Sequence, residues 1–352
     1  MATRAQRNQE IEQFILHTVR EHPQDLVRQV CERFGLKRHG ALRHIRRLIE
    51  AGQLEASGAT RDRQYRPLPS LEKEWQYPIS QALKEDFVWR VELLPLLGGL
   101  AENALRICEY GFSEILNNAI EHSEGSRVSL SLALYADLVT IGVQDDGVGI
   151  FNKIRRAYEL DDARHAVLEL AKGKLSTDPQ HHSGEGIFFT SRMFDQFVIF
   201  SGRLAFTNWN EEDLRDSVLL DADEDWAGTR VLMQITPHTR RTTREVFDQY
   251  TAHPEEYGFD RTLVPVNLIR YGTENLVSRS QARRLLARFE RFSEVVLDFN
   301  NVTSIGQAFA DEIFRVFARE HPEVQLSMIH VVPEVQRMIR HVTVPAGDGR
   351  ST

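Results

Sequence analysis

Cysteine is scarce in this chain: two occur in 352 residues, Cys31 and Cys108, far apart and without metal-ligand spacing. Their scarcity excludes a disulfide framework and a Cys-rich zinc site, and it fits a reducing cytosol. Long apolar runs are lacking as well. The most apolar stretch, residues 91–101, is interrupted by Glu92 and Pro95, and residues 1–12 are polar where a signal peptide carries an apolar core. Neither export nor membrane spanning is therefore expected, and the cytoplasm is the expected location. Positive charge is not in excess: 43 Lys+Arg stand against 51 Asp+Glu, a net charge of −8, which excludes a nucleic-acid-coating polycation. What is present is ordinary globular composition, 41% hydrophobic and 27% charged, at a length that suggests two or three domains.

The charge is unevenly spread. Residues 1–67 hold 13 Lys+Arg and 8 Asp+Glu, a net +5, which leaves −13 for the remainder. In the basic part, Ile11, Phe14, Ile15 and Val19 follow helical spacing, as do Leu26, Val30 and Phe34 after Pro23. A third helix over about 37–50 carries Lys37, Arg38, Arg43, Arg46 and Arg47 beside an apolar stripe of Leu42, Ile45, Leu48 and Ile49. A Ser57-Gly58 turn and a basic strand-like piece, 61–66, end at Pro67. Three helices and a small hairpin over about 5–67 resemble the winged helix-turn-helix family. The resemblance implies double-stranded DNA as a partner, with Lys37, Arg38, Arg43 and Arg47 on the recognition helix and Arg61 and Arg63 on the wing. A solvated helix face, or packing on a protein partner, is the alternative reading. A homodimer is compatible with this module, because such domains commonly read paired half-sites.

The fold class expected is multidomain α/β, with a small α+β domain (1–67), a proline-bearing linker (68–78), a larger α/β sandwich (79–240), a connector (241–261), a small α/β domain (262–345) and a short tail (346–352). After a helical but interrupted stretch to about Gly111, the middle part alternates. A helix at 112–123 precedes strands at 127–134 and 138–145, and a helix near 185–194 precedes strands near 196–201, 203–208, 216–220 and 228–235. This order suggests a mixed sheet covered by helices on one face.

Chemistry concentrates in the middle part. Phe112, Ile115, Leu116 and Ala119 form an apolar stripe, while Glu114, Asn118, Glu121 and His122 occupy the other side. Asp145-Asp146-Gly147-Val148-Gly149-Ile150 directly follows a strand. About 35 residues later His182-Ser183-Gly184-Glu185-Gly186 opens a helix, where backbone N–H groups suit phosphate oxygens. Gly228-Thr229 lies in a later strand. In this order the four elements resemble the GHKL ATP-binding fold of DNA gyrase, heat-shock chaperone ATPases, histidine kinases and anti-sigma serine kinases, over about residues 80–237.

That resemblance implies ATP and Mg²⁺ as cofactors. Asn118 would bind the metal, and Glu114 would be the catalytic general base toward water. Asp145 would accept a hydrogen bond from the adenine amino group, supported by Thr229, with Gly147, Gly149, Gly184 and Gly186 around the nucleotide. A carboxylate can only accept there, so guanine, which has a carbonyl at that position, would be refused. Residues 151–183 would form a lid whose Lys172 and Lys174 meet phosphates; simple solvation of both is the alternative. Histidine kinases usually carry Asn where Glu114 stands and need an acceptor His upstream, but none lies between Ile79 and Gly111. A DNA-binding transcriptional regulator switched by ATP is the leading expectation. The alternatives are an anti-sigma-like serine/threonine kinase acting on a partner and a scaffold with a degenerate site.

The last part alternates apolar runs at 263–269, 295–299 and 326–331 with helices at about 278–292, 307–320 and 333–342. The stretch Val295-Val296-Leu297-Asp298-Phe299-Asn300-Asn301-Val302-Thr303-Ser304-Ile305 resembles STAS domains, specifically a DUF4325-type domain, and implies a regulatory protein as partner. Where phosphoregulated members have a serine, residues 306–310 contain no hydroxyl. Thr303 and Ser304 are displaced and read as turn caps. Arg279, Arg283, Arg284, Arg288 and Arg291 make a basic face, read either as solvated or as contacting the acidic middle domain.

Overall fold

A computed structural model of the chain describes residues 3–59, 62–175, 184–211, 214–252, 258–270 and 274–343. Its class is multidomain α/β. α1 (Arg4–Thr18) starts in a capping box between Thr3 and Gln6, α2 (Leu26–Phe34) stops at a left-handed Gly35, and α3 (Arg38–Glu50) comes next. β1 (Leu54–Ser57) and β2 (Gln64–Pro67) pair antiparallel. Ile15, Leu26, Val30, Ile45 and Leu54 belong to a core of this segment's own. Arg20, just past α1, makes paired bonds to Asp137 at 2.6 and 3.0 Å and lies over the Tyr135 ring, which ties the first segment to the middle one.

The middle segment contains β3 (Leu71–Pro78), α4 (Glu85–Val88), α5 (Glu102–His122), β4 (Arg127–Leu134), β5 (Val139–Asp145), α6 (Ile150–Ala157), α7 (Ala163–Lys172), α8 (Gly186–Met193), β6 (Gln196–Glu211) and β7 (Leu214–Ile235). The strands form one antiparallel sheet in the order β3-β4-β5-β7-β6. Val139, Ile141, Val143 and Asp145 alternate onto its buried face. α5 covers that face through Ile107, Phe112, Ile115 and Leu116. Gly111 allows α8 to approach, because a Cβ there would overlap the Phe194 ring.

Several boundaries differ from expectation. Residues 71–78 are the edge strand β3 rather than linker. Its flanking prolines, Pro67 and Pro78, sit at strand ends where no ladder donor is missed, and Leu71, Trp75 and Tyr77 pack on the core. α5 begins at Glu102, because Gly111 is a packing position rather than a helix end. The strand pairs expected at 196–208 and 216–235 are two long strands, with a register irregularity around Gly202. The stretch expected as a lid contains the helices α6 and α7, and residues 176–183 lie outside the described residues.

The chain continues through α9 (Thr243–Gln249), β8 (Arg261–Pro265), α10 (Arg279–Leu286), β9 (Glu294–Asp298), α11 (Gln307–Asp311), α12 (Ala318–Glu320), β10 (Gln325–Ile329) and α13 (Pro333–Thr343). A π-helical piece, Glu312–Phe317, joins α11 to α12. The three strands are parallel in the order β10-β9-β8, connected by helical crossovers. The N-cap of α11 is Gly306, which offers no side-chain cap. The stretch expected as a connector packs Phe247, Tyr250 and Phe259 against Phe188 and Phe189 of α8. The middle and last segments consequently share one hydrophobic core. Among the described residues no helix is long and apolar enough to cross a membrane.

Candidate functional site

α5 and the end of β5 meet at a cavity of about 330 Å³, within the range of small-molecule sites. Helical spacing brings Glu114, Asn117, Asn118, Glu121 and His122 to its border on one stripe of α5. Asn118 donates its Nδ2 to the Glu114 carbonyl at 2.7 Å, which leaves Oδ1, a hard oxygen suited to magnesium, as the atom for a ligand. Ile115, Val143, Ile154 and Val231 supply an apolar wall.

Asp145 is buried at the opposite border, where the strand alternation turns it inward. Its Oδ1 accepts the backbone N–H groups of Gly147 at 2.9 Å and Thr229 at 3.2 Å. Burial raises its carboxyl above the ordinary aspartate value, and those two amides oppose the rise. Asp146 has a different task. It accepts from Ser126 and Arg127 on the surface, which lowers its carboxyl, and so fixes the β4–β5 pairing. Thr229 Oγ1 accepts the Ile150 N–H at 2.9 Å and joins the start of α6 to β7.

The glycines are required by close approach. A Cβ at Gly147 would overlap the Ser123 carbonyl, one at Gly186 the Glu114 carboxylate, and one at Gly228 the Asp145 backbone oxygen. Gly149 and Gly228 also have positive φ, 81° and 71°. Of the residues singled out in the sequence, Glu114, Asn118, Asp145, Gly149, Gly184, Gly186 and Thr229 border the cavity, and Gly147 stands behind Asp145. His182 and Ser183 lie outside the described residues.

Lys172 and Lys174 do not join them. Lys172 is fully buried, and its ammonium donates to Glu169 at 2.6 Å and to the carbonyls of Arg284 and Ala287; burial pushes it down to about 8. Lys174 donates to the Arg291 carbonyl at 2.8 Å and lies over the Phe292 ring. Both have partners more than a hundred residues away, which local sequence does not reveal. Among the described residues the lysine that borders the cavity is Lys153, which donates to the His122 carbonyl at 2.6 Å and pairs with Glu124. The signal for it is position, since it falls in the first turn of the helix opened by the Asp145–Gly149 box. Ser201 is a second residue that sequence reasoning misses. Its hydroxyl holds the Gly228 carbonyl at 3.0 Å, and nothing local indicates that pairing.

On the first segment, Lys37, Arg38 and Arg43 are exposed on or just before α3, and so is Arg46. Arg47 pairs with Glu12 of α1 at 3.0 Å and is thus partly neutralised. Arg63 is exposed over the Tyr65 ring, and Arg61 lies outside the described residues. In the last segment, Arg279 and Arg283 pair with Asp311 and Glu312 of the same segment, whereas Arg284, Arg288 and Arg291 meet the middle one. Among the described residues no group of three or more His, Cys, Asp or Glu is arranged to hold a metal ion.

Residues 281–336 match the model of a STAS-like domain of unknown function (DUF4325). The match runs from within α10 to the first turn of α13, the greater part of the parallel-sheet segment. No curated protein matches the chain.

Proposed function

We propose that the chain is an ATP-responsive regulator, in which a GHKL-like middle domain binds Mg-ATP and a winged-helix-like first domain binds DNA. The observation that carries the reading is the convergence of Asp145 and Thr229 with Glu114, Asn118, Gly184 and Gly186 on one cavity. The donor set fits the nucleotide. A carboxylate acceptor sits beside an apolar wall for a flat base, and close-packed glycines and an amide oxygen border the same space. When bound, magnesium would neutralise phosphate charge. Asn118 would hold the metal, Asp145 would orient the base, and Glu114 would take a proton from an attacking water or hydroxyl. Among the described residues Lys153, rather than Lys172 or Lys174, is the lysine that borders this cavity and would face the phosphates.

Incubation with Mg²⁺ and γ-labelled ATP tests the reading, with Glu114→Ala as the control. Glu114-dependent release of free phosphate marks a switch ATPase, and label on a partner hydroxyl marks an anti-sigma-like kinase. Label that stays on bound ATP marks a sensor that works by occupancy. No bound nucleotide contradicts the proposal.

A pH dependence follows from Asp145. Acceptance from the adenine amino group needs the ionised carboxylate, and burial raises the pH at which that form is lost. ATP affinity is expected to fall on acidification through a pH above the ordinary aspartate value. Subtracting the titration profile of Asp145→Asn isolates this contribution, and a zero difference would rule it out.

The DNA proposal rests on exposed Lys37, Arg38, Arg43 and Arg46 along one helix of a net-positive segment. Affinity for duplex DNA should fall with salt, and Arg43→Ala combined with Arg46→Ala should reduce the log–log slope by about 2 if each arginine meets one phosphate. An unchanged slope counts against that face. ATP is expected to alter DNA affinity, and equal affinities with ATP, ADP and no nucleotide would refute the switch.

A further inference from the structure

The stretch 170–175 belongs to two neighbourhoods. Leu170 and Leu175 border the cavity. Between them, Lys172, Gly173 and Lys174 are bonded into the last segment. Arg288 pairs with Glu169 at 2.7 Å and donates to the Gly173 carbonyl at 2.8 Å and to the Lys174 carbonyl. Lys172 donates to Glu169 and to two carbonyls of the α10 end, and the Thr262 hydroxyl donates to the Lys172 carbonyl at 2.7 Å. Arg288 and Lys174 both have left-handed backbone, with φ of 67° and 49°, a conformation that side chains rarely adopt. Two such residues facing each other at one contact indicate that the surrounding structure holds this geometry in place.

We infer that the STAS-like domain completes the nucleotide site: Arg288 is a positioning residue for the wall formed by 170–175, so nucleotide affinity depends on a side chain from outside the domain that carries the cavity. The inference rests on the nucleotide reading proposed for that cavity. Its physical basis is the Arg288 fork, which fixes a carboxylate and two carbonyls at once, as a lysine point charge cannot. By linkage the dependence is reciprocal, and bound nucleotide steadies the Arg288 side of the contact.

The test is calorimetric titration of the full chain with Mg-ATP, comparing wild type with Arg288→Ala, Arg288→Lys and Arg283→Ala. Arg288→Ala is expected to weaken ATP about ten-fold or more, and Arg288→Lys by less. Arg283→Ala, whose partner Glu312 lies within the STAS-like segment, is expected to leave affinity unchanged. A purely structural role would lower Tm equally with and without ATP, whereas positioning predicts that the Tm rise given by ATP shrinks in Arg288→Ala. In wild type, ATP should slow hydrogen exchange over residues 279–291. Should Arg288→Ala not fold, Arg288→Lys and the exchange measurement decide. Equal ATP affinity in all folded variants, with unchanged exchange, overturns this inference alone. Absence of ATP binding in wild type overturns it together with the nucleotide reading.

Discussion

Asp145→Asn is expected to weaken ATP binding by about a hundred-fold or more while leaving the fold intact. The reason lies in which oxygen is already engaged. Oδ1 accepts two backbone N–H groups, from Gly147 and Thr229, so the asparagine carbonyl oxygen must take that position. Its NH₂ is then directed to where the second carboxylate oxygen stood, and in the proposed pose it faces the adenine amino group, donor against donor. A hydrogen bond to a charged acceptor contributes about 1.5–3 kcal/mol, and leaving both donors unsatisfied adds to the loss. The same geometry predicts that wild type prefers ATP to GTP and that the variant narrows this preference, since an NH₂ donor suits a carbonyl at position 6. Equilibrium binding of both nucleotides to both proteins checks the argument. An Asp145→Asn protein that keeps full ATP selectivity would place the base elsewhere.

Gly228→Ala should destabilise the middle domain by more than about 2 kcal/mol. Its φ of 71° already disfavours a side chain, and the added Cβ would overlap the Asp145 backbone oxygen and come within 2.7 Å of Oδ1. Relief would require β5 and β7 to separate at the point where Ser201 and Thr229 are also anchored. Gly202→Ala is the internal control, because Gly202 has φ 58° but nothing within 4 Å of the new Cβ. Only the backbone penalty, about 1 kcal/mol, is expected there. Urea or thermal unfolding of the two variants compares them directly, and equal losses would mean that the Gly228–Asp145 approach is less tight than described. Nucleotide binding should fall with Gly228→Ala and persist with Gly202→Ala.

Much of the site is legible in the sequence because its residues obey local periodicities. Asp145 continues the alternation of Val139, Ile141 and Val143, so a strand there turns it inward. Glu114 and Asn118, one helical turn apart on the polar side of α5, reach the same space. β3 is obscured by the prolines around it: Pro67 ends β2 and Pro78 ends β3, and together they resemble linker composition when read without the partner strand β4. Lys172 escapes for a related reason: a lysine reads as solvated unless its burial is known, and Glu169, Arg284 and Ala287 bury it only in the folded chain. The arginine face of α10 is ambiguous in sequence because both readings hold in part. Arg279 and Arg283 turn to acids of their own segment, while Arg284 and Arg288 turn to His165 and Glu169. Helical periodicity locates the face but not the neighbour that covers it.

Equilibrium binding of Mg-ATP to the full wild-type chain, with GTP in parallel, decides whether the Asp145–Glu114 cavity recognises ATP. One ATP per chain is expected, with a clear preference over GTP that narrows in Asp145→Asn. Failure of wild type to bind ATP, or equal binding of ATP and GTP, would contradict that recognition.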